Sequence, residues 1–448
     1  MLFKEKIIFL AISLTMVTSS YATILSDFGE PNKAQLVQAM KDQTVHIVQF
    51  GDSHTAADVW TDALRTQLQH RLGNGGMGWG MPMYFSGHRL EEYGYDVQGW
   101  QSVSSRTQHD ENYTLGGLLA VPRYSGATLT IKSKRNRPEQ AITVSLRQTA
   151  GDGNFTGVDA NGKSFSFSAP RKDGTWQVAH FDATLPFTIT AHDANRSAIA
   201  GWWAKNKFGQ GAVVSALGIN GAELRYWNRW NTTGWQQELK EVAPSLIILA
   251  YGTNEAYNNN IDIGAAKQLL ESKIMQIRQA SPNSAILIVS APESLKSTAG
   301  QCGVRPAQLT AFQNMQIQVA RQSRTLFWDW QQAMGGNCSM KSWISRGDAR
   351  GDGVHFSPKG YQKLGTKLAE DLLNIAEIQS ENTIPSYNSA PIDGNMPAIS
   401  PIISTGGRGS ISSEDKRMSY NDGSVYIQTC IEGKGCKSVG NEALKNLP

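Results

Sequence analysis

The sequence predicts a three-layer α/β/α domain interrupted by an all-β module, and three observations carry that expectation. Near-continuous apolar runs, Val45 to Phe50, Ala212 to Leu217, Ser245 to Ala250, Ala285 to Val289 and Thr325 to Trp328, have the composition of parallel strands covered on both faces. Segments of helical spacing lie among them, such as Ala265 to Gln279, where Leu269, Leu270, Ile274 and Ile277 form one apolar stripe. Between Trp100 and Asn206 the pattern changes to short alternating segments with Gly-Asp-Gly-Asn and Asn-Gly turns, which argues a β-sandwich or jelly roll. A chain of 448 residues, 40% hydrophobic and 18% charged, has ample core for two or three such units.

Taken in order, the chain opens with Lys4 and Lys6, an apolar stretch from Ile7 to Val17, and small residues at Ser20 and Ala22. That pattern reads as a secretory signal over residues 1–22, cleaved after Ala22. An uncleaved anchor is the alternative, which the shortness of the apolar stretch disfavours; no second stretch is long enough to span, so no stable membrane insertion is expected after cleavage. Residues 23–99 form the first part of the α/β domain: a helix over Asn32 to Met40, the strand Val45 to Phe50, a serine turn, and a helix from Ala56 to Arg71 with Val59, Leu64 and Leu68 toward the sheet. The glycine-rich loop Gly73 to Gly80 lacks the Lys-Ser/Thr ending of a phosphate-binding loop and is expected to be a mobile wall of the cleft.

Residues 100–206 are expected to be an independent inserted β module, with strands at Ala127 to Lys132, Ala141 to Leu146, Ser164 to Ser168, Trp176 to Phe181 and Phe187 to Ala191. The α/β pattern returns over 207–378 and closes with a helix from Pro358 to Ile378, for which Ser357 is the expected N-cap. Residues 379–448 lack a sustained period. They read as a flexible or loosely docked tail from Ser380 to Met418, followed by a Cys430 to Cys436 hairpin.

A formal charge of +4 is only mildly basic, and the one dense run, Lys132 to Arg137, reads as a solvated strand end, so no nucleic-acid partner is expected. Four cysteines in an exported chain permit disulfides, and proximity favours Cys302 with Cys338 and Cys430 with Cys436 among three possible pairings. The spacings lack paired CxxC units, and the cluster Asp52, His54 and Asp58 does not by itself make a ligand set. No metal and no cofactor are expected.

The chemistry is carried by Gly51-Asp52-Ser53-His54, which follows the first strand, and by Asp352-Gly353-Val354-His355 far downstream. A serine on a turn at the rim of an α/β sheet, a histidine base and an orienting carboxylate are the parts that nucleophilic acyl transfer requires. His54 is a poor base for Ser53, because adjacent side chains diverge.

With Gly218-Ile219-Asn220-Gly221 and Gly252-Thr253-Asn254-Glu255 added, four blocks in chain order resemble the SGNH (GDSL-like) hydrolase superfamily. The resemblance implies a flavodoxin-like α/β/α fold with Ser53 as nucleophile, His355 as general base and Asp352 as its orienting partner. It also implies an oxyanion hole from the N–H groups of Ser53 and Gly221 and the amide of Asn254, with Gly218 as the alternative in its segment. The family often has Asp after the Asn, where this chain has Glu255.

Within the superfamily, the segments around Ser53, Gly221 and Asn254 look most like Gram-negative peptidoglycan O-acetylesterases, over roughly Asp42 to Leu373. That likeness implies an inserted carbohydrate-binding-module-like β domain, a periplasmic location, and an O-acetylated peptidoglycan substrate that loses acetyl from the C6 hydroxyl of N-acetylmuramic acid. Trp202, Trp203, Trp227, Trp230 and Trp235 are candidates for sugar platforms, with core packing as the alternative. Two other functions fit the same residues: an acetylesterase or acetyltransferase for another exported polysaccharide, and a non-catalytic wall-binding protein with a degenerate hydrolase domain. No triad or oxyanion residue is missing from the chain, which weighs against the second.

Overall fold

The computed structural model describes residues 24–193 and 196–378, together with the strand backbones 414–421, 424–431 and 435–439. The apolar runs become one six-stranded sheet: β1 (Leu25–Asp27), β2 (His46–Gly51), β3 (Val213–Gly218), β4 (Leu246–Ala250), β5 (Ala285–Val289) and β6 (Leu326–Trp328). Across the sheet the order is β1-β6-β5-β4-β2-β3, and all neighbours are parallel except β1 with β6. The edge strand β1 is absent from the sequence reading; three residues are too few to show a period.

Eight helices matter to the site: α1 (Lys33–Lys41), α2 (Ser53–Ala56), α3 (Val59–Leu72), α4 (Thr232–Val242), α5 (Thr253–Tyr257), α6 (Ile263–Ala280), α7 (Leu309–Gln322) and α8 (Pro358–Ile375). Successive side chains of a strand point to opposite faces. Ile47 of β2 therefore joins a core with Leu36, Leu64 and Leu368 of α1, α3 and α8, while Val48 and Phe50 join Leu239, Ile274 and Val319 of α4, α6 and α7. The three layers are helix, sheet and helix.

The helix expected from Ala56 to Arg71 is broken in two by Asp58, whose backbone takes a left-handed φ of 55°. The break resets the helical phase, so Trp60 instead of Val59 is buried against the sheet.

Residues from 93 to 206 build two antiparallel sheets packed face to face. One runs Ser164–Phe167, Phe155–Val158, Phe187–Thr190, Thr128–Ser133, Tyr93–Gln98, and the other Asp173–Ala183, Gln140–Thr149, Ala198–Asn206, Leu118–Pro122, Trp100–Ser104. Aromatic rings fill the space between them: Phe181 stacks on Phe165 at 4.5 Å and Trp202 meets Phe187 edge-on at 5.6 Å.

Four expectations need correction here. The strand Tyr93–Gln98 precedes the boundary placed at residue 100. The glycine-rich segment is not a mobile wall: Gly78–Gly80 pairs with Ala198–Asn206, and Trp79 is buried in that register. The β sheets are not an independent module, because one core runs from them through Trp203 and Trp227 into the Val48 face of the central sheet. The buried Glu238 of α4 joins the two parts, accepting from Trp203 Nε1 at 2.9 Å and Thr114 Oγ1 at 2.7 Å. Burial pushes its carboxyl up to about 7.

Nor is the basic run simply solvated. Arg137 pairs with Glu92 at 2.5 Å, and Arg135 pairs with both Glu92 and Asp62. Asp62 and Asp58 in turn hold the buried Arg65 of α3. A run of like charges looks solvated in sequence because its counter-charges, here residues 62, 92 and 96, come from elsewhere in the chain.

Cys302 and Cys338 form a disulfide. In the C-terminal region three strands, Glu414–Asn421, Ser424–Ile431 and Gly435–Val439, form a sheet that begins inside the stretch read as tail and sets Cys430 opposite Cys436. The sulfur pairing of those two cysteines and the signal segment 1–22 lie outside the described residues.

Candidate active site

The site lies at the carboxyl ends of β3, β2 and β4, where the parallel register sets Gly51 of β2 beside Gly218 of β3 and Ala250 of β4. Three loops therefore leave the sheet side by side, carrying Ser53, Gly221 and Asn254. Crevices at the carboxyl ends of such strands are where α/β folds bind ligands.

Ser53 opens the short helix α2, with Asp52 as N-cap accepting from His54 N at 3.0 Å. The N–H of Ser53, at the first helical position, has no partner within the helix. Gln49 of β2 anchors the helix by donating to Thr55 Oγ1 at 2.9 Å and to Thr61 Oγ1 at 3.2 Å.

His355 comes from the loop before α8. Ser357 caps that helix, accepting from Gly360 N at 3.2 Å, and Pro358 follows, as the sequence predicts. In this loop Gly353 has a φ of 72°, and a Cβ there would stand 2.7 Å from the Leu295 carbonyl, so only glycine lets the loop lie against residues 291–295. Ser53 Oγ is 3.0 Å from His355 Nε2, and His355 Nδ1 is 2.9 Å from Asp352 Oδ2. The other oxygen of Asp352 accepts the N–H groups of Val354 and His355 at 2.9 Å. Despite partial burial, the His355 imidazole and these two amides hold the Asp352 carboxyl well below the usual carboxylate range. Hydroxyl, imidazole and carboxylate thus form one connected chain whose side chains are largely buried.

The second and third loops are pinned to each other. Asn254 Nδ2 donates to the Ala222 carbonyl at 2.8 Å, and Glu255 accepts from Leu224 N at 2.8 Å. Gly221 has a φ of 71° and no acceptor for its N–H among the described residues. Gly218, the alternative donor, belongs to β3 in ladder with β2, and a Cβ on it would meet Ala56 N at 2.2 Å. Its role is close approach between strand and helix.

Two features near the triad escape sequence reasoning. Asp52 is a second buried carboxyl near His355, and burial pushes it up to about 6. His54 meets Tyr361 of α8 at 2.7 Å. A signal for Tyr361 exists in retrospect, since it lies in the first turn of the helix that His355 precedes. The five tryptophans proposed as sugar platforms, Trp202, Trp203, Trp227, Trp230 and Trp235, are all core residues. The described residues contain no group of His, Cys, Asp and Glu able to hold a metal, and Asp58 is ion-paired with Arg65 at 2.9 Å.

A solved peptidoglycan O-acetylesterase, described as in action at 5 min, is 40% identical, covers 79% of this chain and 99% of its own, and superposes with a TM-score of 0.72. The chain belongs to the peptidoglycan O-acetylesterase family. Family models agree: that of the peptidoglycan O-acetylesterase N-terminal region matches residues 75–188, and that of the GDSL-like lipase/acylhydrolase family matches 166–363. Other solved structures are fainter likenesses. A family two carbohydrate esterase from Cellvibrio japonicus is 10% identical over 64% of this chain and 99% of its own, with a TM-score of 0.28. A family 3 carbohydrate esterase from Talaromyces cellulolyticus is 18% identical over 39% and 75%, with the same TM-score of 0.28. Among curated proteins none matches.

Proposed function

We propose that this carbohydrate esterase removes O-acetyl groups from the C6 hydroxyl of N-acetylmuramic acid in peptidoglycan, through an acyl-enzyme on Ser53. The observation that carries the reading is the hydrogen-bonded chain Ser53, His355, Asp352 in a member of the peptidoglycan O-acetylesterase family.

In acylation, Ser53 Oγ attacks the acetyl carbonyl as His355 Nε2 takes its proton, and the tetrahedral oxyanion is received by the N–H groups of Ser53 and Gly221 and the amide of Asn254. His355 then protonates the departing sugar oxygen. In deacylation it takes a proton from water, whose oxygen attacks the acetyl-serine, and returns the proton to Ser53 as acetate leaves. Asp352, held ionised, keeps the imidazole in the Nδ1–H tautomer and balances the imidazolium. Ser53 and His355 are only 4% and 3% exposed, which suits a small acyl group better than a long one.

Peptidoglycan as substrate requires an enzyme outside the cytoplasm, and we assign it to the periplasm on the leader pattern of residues 1–22. No helix of the described residues is long and apolar enough to cross a membrane. The sheets between 93 and 206 are, in this reading, a carbohydrate-binding-module-like insertion of jelly-roll type that shapes the glycan side of the cleft. The test is acetate release from O-acetylated peptidoglycan by wild type and by Ser53→Ala. Loss in the variant is expected; wild-type turnover by Ser53→Ala ends the mechanism, and equal release from acetylated xylan ends the substrate assignment.

A further inference from the structure

His54 follows the nucleophile in sequence but lies against the base in space. Its ring is 1% exposed and sits 5.3 Å from the His355 ring, enclosed by Trp330 at 5.2 Å and by Phe356 and Tyr361 at 5.8 Å. Nδ1 meets the Tyr361 hydroxyl at 2.7 Å, while Nε2 is buried with no hydrogen-bond partner among the described residues. Among the described residues the Tyr361 hydroxyl has no acceptor other than His54 Nδ1. The bond satisfies the phenol proton only if the tyrosine directs it to His54 Nδ1. The proton of His54 then belongs on Nε2.

We propose that His54 is a positioning residue for His355: the Tyr361 hydroxyl fixes its tautomer, and its ring holds the catalytic imidazole in line with Ser53. The proposal rests on the reading of His355 as the general base. The helix α8 thereby supports the base twice, through the capped start that aims the loop and through Tyr361, which reaches back under it.

The electrostatics favour an uncharged ring here. Burial, and then the facing His355, hold His54 well below the ordinary histidine range. The charged or titratable groups facing the cluster are His355, Asp352 and Arg350 from the loop before α8, Tyr361 from α8 itself and, near His355, Asp52. A second positive charge at this distance would oppose the imidazolium that forms when His355 takes the Ser53 proton. A neutral imidazole gives a rigid aromatic contact without that opposition. Phenylalanine supplies the contact but accepts no hydrogen bond from Tyr361.

The experiment uses the full-length enzyme with 4-nitrophenyl acetate and O-acetylated peptidoglycan, comparing wild type, His54→Phe, Tyr361→Phe and Ser53→Ala. Both ring variants should fold, keep KM within about twofold, and lose about tenfold in kcat with a shifted acid limb of the pH–rate profile. In wild type, ¹⁵N NMR of the histidines should show His54 as the neutral Nε2–H form, unchanged from about pH 5 to pH 9; Tyr361→Phe should mix its tautomers. Wild-type kcat and pH profile in both ring variants, or a His54 signal that titrates or carries its proton on Nδ1, overturns the proposal. Should either variant fail to fold, the wild-type spectrum still decides. Retained activity in Ser53→Ala would instead overturn the hydrolase mechanism, so the two failures are told apart.

Discussion

The amide of Asn254 donates one proton to the carbonyl of Ala222 at 2.8 Å, fixing the third loop of the site to the second. One amide proton is engaged by that bond, which leaves the other for the oxyanion in the proposed mechanism. The amide is therefore held before substrate arrives, as an oxyanion donor must be.

Asn254→Ala should consequently retain KM while kcat falls about 10²- to 10³-fold, the usual cost of about 2.7 to 4 kcal/mol for one lost donor. Steady-state hydrolysis of an aryl acetate measures both constants. Wild-type kcat would remove Asn254 from the oxyanion hole.

The buried carboxyl of Glu255 is pushed up from 4.5 to about 8, chiefly by desolvation. The folded state keeps this proton to a higher pH than the unfolded chain does. The group's contribution is fully present below about 4.5 and lost as pH rises through about 8. Glu255→Gln preserves an acceptor for Leu224 N without the charge. It should leave Tm near wild type at pH 5 and raise stability by roughly 1 to 3 kcal/mol at pH 9. Equal pH dependence in the two proteins, followed by thermal unfolding, refutes this.

The Cys302–Cys338 disulfide closes a loop of sequence separation 36 that contains α7 and β6. Loop-closure entropy assigns it roughly 3 to 4 kcal/mol. Cys302→Ser together with Cys338→Ser should lower the denaturation midpoint accordingly with little change in kcat, since neither residue touches the triad. A midpoint within error of wild type would show that the closed loop does not constrain the unfolded chain.

Arg65 is buried between Asp58 at 2.9 Å and Asp62 at 2.6 Å and also donates to the Val214 carbonyl at 2.9 Å. Removing one partner of a buried charge cluster leaves the others uncompensated, typically at about 3 to 5 kcal/mol. Arg65→Met should therefore destabilise by that amount despite filling the space. Urea unfolding reads it directly, and a loss below about 1 kcal/mol would mean that Arg135 on Asp62 and the Glu91 N–H on Asp58 suffice for the two carboxyls.

The parts of the site legible in sequence are those that short motifs carry. Ser53, with the capped turn that exposes it, and Asp352 with His355 three residues later at a Ser-Pro helix start, are local arrangements. What could not be read is how residues far apart come to share a surface. Glu92 lies 43 residues from Arg135, so nothing in the run Lys132 to Arg137 announces its counter-charge. Trp203 and Trp227 look alike as platform or core, and only the packing of Trp203 over Glu238 and of Trp227 against Phe50 at 4.7 Å makes them core.

By itself the sequence determined the layer pattern, the central strands β2 to β6, the cap of the last helix and the motifs that supply Ser53, Asp352 and His355, because strand period, capping and motif chemistry act over a few residues. Tertiary structure alone decided the phase of α3 after the break at Asp58, the joining of the β sheets to the hydrolase core and the placing of His54 and Tyr361 beneath His355. Those depend on which distant surfaces exclude water together, and a side chain's burial, charge state and partner are set by that exclusion.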